Sequence, residues 1–346
     1  MLYELDTKTR KLLKRLQKEG KLDDREILEL FDSRFPDEKA CLSYVLDLRW
    51  GRNRKKFMCP NCEGDECKET SNALFRCSRC HSFVSVKVGT LFQDSKLRLR
   101  QWFMAMWFMA YRNWGLSSSE LQGLLGIKNY RIALALSHKL RRAMSGESSK
   151  PLRGKVVQLV KVPVKLGRTT AWVLVIHQDG YHVRYENKDK SPKVTKTVYE
   201  RDYPPFVRLR HLACEHVPLL PLVTHLVKRN ITVWTQEELT DEPWSRIYDH
   251  REDRLGSDNH SSLLAQVRSV DLQLRKWLST NYHSHVKASY LQNYLDEFVF
   301  WYNRQFIYSG YHDQFLPTYR WIVFDQLLRR VIQTNPFVKN DAKSQE

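Results

Sequence analysis

KVVQLVKVPV, Lys155–Val164, is the stretch on which the fold turns. Its valines favour an extended strand. It follows SGESSKPLRG, Ser145–Gly154, a Ser- and Gly-rich segment broken by Pro151 that reads as a linker. Beyond it the texture is β: Ala171–Gln178 and Tyr181–Glu186 read as second and third strands, with turns at Leu166–Arg168 and Asp179-Gly180. An irregular segment leads to an apolar helix, Val217–Lys228, a short strand, Ile231–Trp234, and helices from about Ser261 to Leu278 and Lys287 to Phe306. No acidic residue occurs from Pro151 through Gln178.

Upstream of the linker the chain is helical and basic. Leu12, Leu13 and Leu16, then Ile27, Leu28 and Phe31, recur with helical spacing, and the run RWGRNRKKF, Arg49–Phe57, follows. The longest apolar run, WFMAMWFMAY from Trp102 to Tyr111, is about half of what spans a bilayer. It is flanked by Arg100 and Arg112 and reads as a buried helix, so no membrane partner is expected. MLYELDTKTRKLLKRLQKEG at the start mixes both signs and lacks the apolar core of a secretory signal. Across 346 residues, 57 Lys and Arg face 39 Asp and Glu, a formal charge of +18 that favours a polyanionic partner such as nucleic acid.

Cys59-Pro-Asn-Cys62 and Cys77-Ser-Arg-Cys80 give two C-x2-C pairs with fourteen residues between them. Each pair can turn two thiolates toward one tetrahedral Zn2+, and four thiolates leave no open position for catalysis, so a structural zinc is expected. The short strand-like stretches Leu74–Cys77 and Ser82–Val88 suit a zinc ribbon. Cys67 and His81 lie close by as candidate substitute ligands, with the bystander reading preferred; Cys41, Cys67 and Cys214 are scattered, which fits a metal site in a reducing compartment better than a disulfide framework.

Ser117-Ser-Ser-Glu120 has the form of a capping box opening a helix, with Leu121, Leu124 and Leu125 on one face. Gly126–Asn129 makes a turn, and Tyr130–Met144 makes a second helix with Ile132, Leu136 and Leu140 inward. This is a helix-turn-helix pattern. There is no Asp or Glu between Leu121 and Gly146, while Lys128, Arg131, Lys139, Arg141 and Arg142 are basic, as a phosphate-facing recognition helix requires. Arg52, Arg54, Lys55 and Lys56 before the ribbon are a second candidate track for a DNA backbone.

VKVGTLFQDSKLRLRQWFMAMWFMA, GLSSSELQGLLGIKNYRIALALSHKLRRAM, LRGKV and YHSHVKASYLQNYLDEFVFWYNR follow in that order, and together with the ribbon they resemble the zinc-ribbon DDE transposases of Merlin-like bacterial insertion sequences. The resemblance covers roughly residues 40 to 306 and weakens between about 165 and 260. It implies a ribonuclease-H-like domain in which two Asp and one Glu hold two divalent ions for phosphoryl displacement. Carried onto this sequence, those acidic positions fall on Leu159 after Leu152-Arg-Gly154, on Gln236 after Thr235, and on Arg268 in the helix leading to YLDEF. Asp179, Glu237, Glu238, Asp241 and Asp271 are the acids that displacement could recruit.

The expected architecture is multidomain α+β. It comprises an N-terminal helical arm (1–50), a zinc ribbon (51–94), a helix-turn-helix domain (95–146), a degenerate ribonuclease-H-like transposase domain (147–310) and a C-terminal extension (311–346). The expected function is sequence-specific binding of double-stranded DNA by a homo-oligomeric, catalytically inactive transposase derivative in the cytoplasm, on the nucleoid. An active enzyme using Mg2+ through displaced carboxylates is the first alternative. A zinc-ribbon scaffold binding a protein partner through its aromatic C-terminal helix (Phe298, Phe300, Trp301, Tyr302) is the second.

Overall fold

The computed structural model describes residues 23–70, 74–111, 115–145, 151–178, 182–187, 195–200, 206–236, 243–253, 264–282, 286–308 and 316–337. Leu12, Leu13, Leu16 and the Asp179-Gly180 turn lie outside them. In chain order the helices and strands are α1 (Asp24–Arg34), α2 (Glu38–Trp50), β1 (Cys67–Glu69), β2 (Leu74–Cys77), β3 (Phe83–Ser85), α3 (Leu99–Tyr111), α4 (Ser118–Leu124) and α5 (Tyr130–Met144). There follow β4 (Val156–Leu166), β5 (Thr169–Gln178), β6 (His182–Asn187), β7 (Thr195–Glu200), β8 (Phe206–Leu212), α6 (Leu219–Leu226), β9 (Thr232–Gln236), β10 (Asp249–Asp253), α7 (Ala265–Tyr282), α8 (Leu291–Tyr308) and α9 (Leu316–Gln333). Two compact units result, one of residues 1–144 with 311–346, the other of residues 145–310.

Carboxylates start the helices of the first unit. Asp23 and Glu26 exchange bonds with each other's amides in a capping box that opens α1, and Asp37 accepts from Ala40 to open α2. Glu38 then accepts the amides of Leu99 and Arg100 at 2.7 and 2.9 Å, supplying α3 with acceptors its first turn lacks. Residues Ala105–Ala110 of α3 are all buried, as the apolar run predicts, and among the described residues no helix is long and apolar enough to cross a membrane. Phe35, between α1 and α2, is the hub: its ring meets those of Phe31, Tyr44, Phe103, Trp107, Trp321 and Phe324 at 4.8 to 6.2 Å.

Two of those rings belong to α9. Residues 311–346 were expected to trail the chain as an extension, yet α9 returns to the first unit and packs on α2, α3 and α5. Its Arg320 donates to Ala110 O at 2.9 Å and its Arg330 to Met144 O at 3.0 Å. Those carbonyls end α3 and α5, where the helices have no acceptor-satisfying amides of their own.

The second unit is built on a five-stranded sheet of order β10-β9-β4-β5-β8. β4 and β5 form a long antiparallel hairpin around Gly167 (φ +61°), β8 pairs antiparallel with β5, and β9 and β10 run parallel to β4. The third strand of this sheet is Phe206–Leu212, not Tyr181–Glu186, whose described part is β6 in a separate pair with β7. β8 alternates Val207 and Leu209 with Arg208 and Arg210, so its cations disguise a strand. One face of the sheet, with Val157, Leu159, Leu174 and Ile176, packs against Leu219, Val223 and Leu226 of α6; α7 lies against β4 and β5, and α8 against β8.

β8 is an edge strand, and α8 covers its edge with amides. Asn303 accepts Val207 N–H at 2.7 Å and donates to Val207 O, while Gln292 accepts His211 N–H at 2.9 Å and donates to Leu209 O. Two side chains three helical turns apart thus satisfy an edge that would otherwise pair with another chain.

Leu152-Arg-Gly154 enters the sheet by two fixed contacts. Leu152 exchanges backbone bonds with Leu226 O and Lys228 N, and Gln178 Oε1 accepts both Arg153 N–H (2.9 Å) and Gly154 N–H (2.8 Å). A Cβ on Gly154 would stand 2.3 Å from Gln178 Cγ. Gly154→Ala therefore displaces the buried Gln178 and leaves two amides without their acceptor, an expected loss of about 2 to 3 kcal/mol in denaturant unfolding. An unchanged midpoint and slope would mean that Gln178 moves at no cost.

Candidate metal centre and nucleic-acid interface

The four cysteines converge. Each C-x2-C is a tight knuckle whose next residue turns left-handed: Glu63 (φ +58°) donates its N–H to Cys59 O, and His81 (φ +60°) donates to Cys77 O. Gly64 follows the first knuckle so closely that a Cβ there would lie 3.3 and 3.4 Å from the sulfurs of Cys77 and Cys62. Cys59 Sγ lies 3.6 Å from Cys80 Sγ, Cys62 Sγ lies 3.6 Å from Cys77 Sγ, and all four are within 4.8 Å of one another. A tetrahedron of thiolates about 2.3 Å from zinc has sulfurs roughly 3.8 Å apart, so the set fits Zn2+. The Ser82 hydroxyl and its amide hold the Cys80 thiol down to about 6. Among the described residues this is the one grouping of three or more His, Cys, Asp or Glu at ligating distance. Cys67 pairs with Cys77 across β1 and β2 without joining the set, and burial pushes the Cys41 thiol up to about 12.

Helix α2 belongs to the ribbon's packing. Trp50 at its end meets Phe57 and Phe75 edge-on at 5.0 and 4.9 Å, so a boundary between residues 50 and 51 cuts through a hydrophobic contact. The basic run divides by role. Arg49 donates to Val86 O, and Arg54 stacks 4.7 Å over Phe75 while pairing with Glu69. Arg52, Lys55 and Lys56 are exposed.

On α4 and α5 the capping box forms, with Ser117 accepting from Glu120 N–H at 3.2 Å and Glu120 accepting from Ser117 N–H at 2.9 Å. Ser118 and Ser137 join the two helices through buried hydroxyls 2.7 Å apart, and Gly126 (φ +60°) turns the chain between them. Three of the five expected phosphate contacts are bonded to the protein itself, one buried and two half-buried. Arg141 is fully buried and donates to Ser137. Lys139 donates to Leu91 O and Gln93 O, both at 3.1 Å, and burial lowers its pKa. Arg142 donates to Asn335 O and Pro336 O. The cause is the packing of α9 and the Leu91–Gln93 turn against the C-terminal half of α5. The N-terminal end of α5 is different: Lys128, Asn129, Tyr130 and Arg131 are all exposed, and Asn129 accepts from Arg131 N–H.

In the second unit, β4, β9 and α7 meet where the acidic positions were placed. Leu159 lies beside Thr235 in register, one residue before Gln236. Leu159 itself points into the α6 core, and the residue that faces α7 is its neighbour Gln158, whose Oε1 accepts Val267 N–H at 3.2 Å, next to Arg268. Gln158, buried, is what the sequence reading missed; strand alternation, with Val157 and Leu159 inward on one face, was the signal that could have found it. Arg251, Trp234, Gln158 and His177 stand in register across this side of the sheet, and Arg251 lies over the Trp234 ring at 5.8 Å. Asp271 pairs with Arg275 one turn on at 2.8 Å. Asp179, Glu237, Glu238 and Asp241 lie outside the described residues. Phe298, Phe300, Trp301 and Tyr302 are buried in the second unit's core, not displayed to a partner.

A family model described as a transposase zinc-ribbon domain, of the IS1595 family, matches residues 36–82. The match takes in α2 together with the ribbon, as the Trp50 packing does. No curated protein and no solved structure matches the chain.

Zinc is expected at one ion per chain, and Co2+ in its place should give the intense thiolate bands of a tetrahedral sulfur site. Cys77→Ser should abolish stoichiometric metal and, by freeing the β2–β3 knuckle, lower the melting temperature. Full zinc content in that variant, read by metal analysis after gel filtration, would remove Cys77 from the ligand set.

Proposed function

We propose that the chain is a transposase-derived protein that binds double-stranded DNA in a sequence-specific manner and does not cut it. The observation that carries this reading is the exposed, acid-free end of α5, Lys128 to Arg131, presented by a helix pair that accompanies a transposase-type zinc ribbon. The first residues of a recognition helix are those that reach base edges in a major groove, and the positive end of the helix macrodipole adds to their charge. Asn129 and Arg131 carry the side-chain types that pair with adenine and guanine. Lys128, with Arg52, Lys55 and Lys56 of the ribbon turn, would contact phosphates. Lys139, Arg141 and Arg142 position the helix from behind.

The sheet order of the second unit, with three antiparallel strands followed by two parallel ones and an intervening helix, supports a ribonuclease-H-like assignment. Its metal chemistry would need anionic oxygens at the junction of β4, β9 and α7, because hard Mg2+ takes carboxylates. Gln158 offers there a neutral amide already bonded to Val267, and Arg268 brings a cation. Leu159, Gln236 and Arg268 themselves offer such ions no carboxylate. The domain serves as a scaffold and as a surface for pairing two copies, so that two recognition helices read one site.

Lys128→Ala with Arg131→Ala should abolish selective duplex binding and, through the phosphate contact of Lys128, reduce the magnitude of the salt slope by about one. Arg141→Ala should lower stability and leave that slope unchanged. Selection of genomic fragments by the zinc-loaded protein with Mg2+ or Mn2+ should recover discrete sites with intact ends. Defined breaks in the recovered fragments would sink the inactive reading, and an unaltered slope in the double variant would sink the assignment of α5.

A further inference from the structure

The ribbon's small sheet has two faces with opposite character. Phe75, Cys77 and Val84 turn inward, and Phe75 packs under Trp50. On the outer face the register puts Lys68 opposite Arg76 and Arg76 opposite Phe83. All three are exposed, Phe83 to 64%. With strands about 4.8 Å apart, the row is roughly 10 Å wide.

A single exposed apolar side chain says little. Phe83 differs in its company: its ring is set in line with two cations, on a face that the core does not need because Phe75 already fills the inner side. A ring offers a surface on which any unpaired base can stack, and cations beside it can follow the phosphates; an aromatic platform with a basic track is the recurring design for single-stranded nucleic acid. Bases in an intact duplex are stacked on one another and cannot use such a ring.

We infer that the outer face of the zinc ribbon binds single-stranded nucleic acid, with one unstacked base on Phe83 and the adjoining phosphates on Arg76 and Lys68. This rests on the ribbon alone and stands whether or not α5 reads a duplex. Strand opening beside a bound site would supply DNA of this kind, and a transcript would supply RNA.

The test uses the full chain loaded with zinc and a short labelled pyrimidine-rich strand, as DNA and as RNA, beside the same sequence as duplex DNA. Phe83→Ala should weaken single-strand binding about tenfold and leave duplex binding unchanged. Phe83→Trp should retain the affinity, and Phe83→Leu, which keeps apolar bulk without a π-face, should lose it as alanine does. Lys68→Gln with Arg76→Gln should weaken single-strand binding and flatten its salt dependence. A halogenated uracil in the strand should crosslink to the tryptic peptide Cys80–Lys87. The tighter of the DNA and RNA arms names the source. Single-strand affinity that is unchanged in Phe83→Ala, or that falls no more than duplex affinity does, overturns the inference. So does a Phe83→Ala effect confined to self-association in sedimentation, which would assign the face to a second copy. Zinc content and melting of each variant separate lost binding from lost folding.

Discussion

Cationic side chains donating to main-chain carbonyls hold the first unit together. Arg320 and Arg330, ten residues apart on α9, close the C-terminal ends of α3 and α5. Arg142 fixes the segment after α9, Lys139 fixes the Leu91–Gln93 turn, Arg100 reaches Phe35 O, and Arg49 reaches Val86 O. Helix ends leave carbonyls unsatisfied and carry partial negative charge, so a cation is the natural donor for them. Each such bond joins segments that are distant in sequence. The consequence for function is that charge and surface are not the same quantity: the formal +18 includes Arg141, Arg208, Arg304 and Arg320, which are buried.

The legible part of the fold was local. Cysteine spacing gave the knuckles, Ser117-x-x-Glu120 gave the start of α4, and the apolar run gave α3, because each of these is decided by residues within a turn or two of one another. Three features depended on distant partners and were missed. From the sequence α9 reads as part of a C-terminal extension, and its place shows only in the contacts of Arg320, Arg330 and Trp321 with α3, α5 and Phe35. The strand Phe206–Leu212 was hidden by arginines at alternate positions and by an inserted hairpin that supplied a more obvious candidate. The basic stripe of α5 obeys the spacing of an exposed face, yet its last turns are covered by residues nearly two hundred positions away.

The ribbon illustrates why domain edges drawn from composition misplace packing. Its short strands cannot make a core alone, and small metal-bound modules depend on the ion and on whatever apolar surface they can borrow. Trp50 is that surface, sitting on α2 and meeting Phe57 and Phe75. The basic run between Trp50 and Cys59 follows from this: it is a turn that must bring the ribbon back onto the tryptophan, with Gly51, Asn53 and Arg54 all at positive φ. Arg54 completes the contact by lying on Phe75, so one cation of the run acts as a lid on the core while its neighbours Arg52, Lys55 and Lys56 remain at the surface.

On the proposed reading, the same economy of partners explains how a sheet junction can lose chemistry and keep its shape. Carboxylates clustered between β4, β9 and α7 would repel one another unless cations held them, so an ion pair would be part of the fold as well as of the reaction. Gln158 removes that dependence. Its amide is uncharged, it needs only hydrogen-bond partners, and it finds one in an amide of the first turn of α7, which has no acceptor of its own. A buried polar group satisfied in this way pins helix to strand without a metal. Placing an acid at Gln158, the neighbour of Leu159, would put a buried charge beside Val267 N–H with no carboxylate at Leu159, Gln236 or Arg268 to share an ion. The helix N-terminus would tolerate it better than bulk apolar surroundings would, but no metal pair would follow. On the reading proposed here, the amide is therefore an alternative solution to the same packing problem.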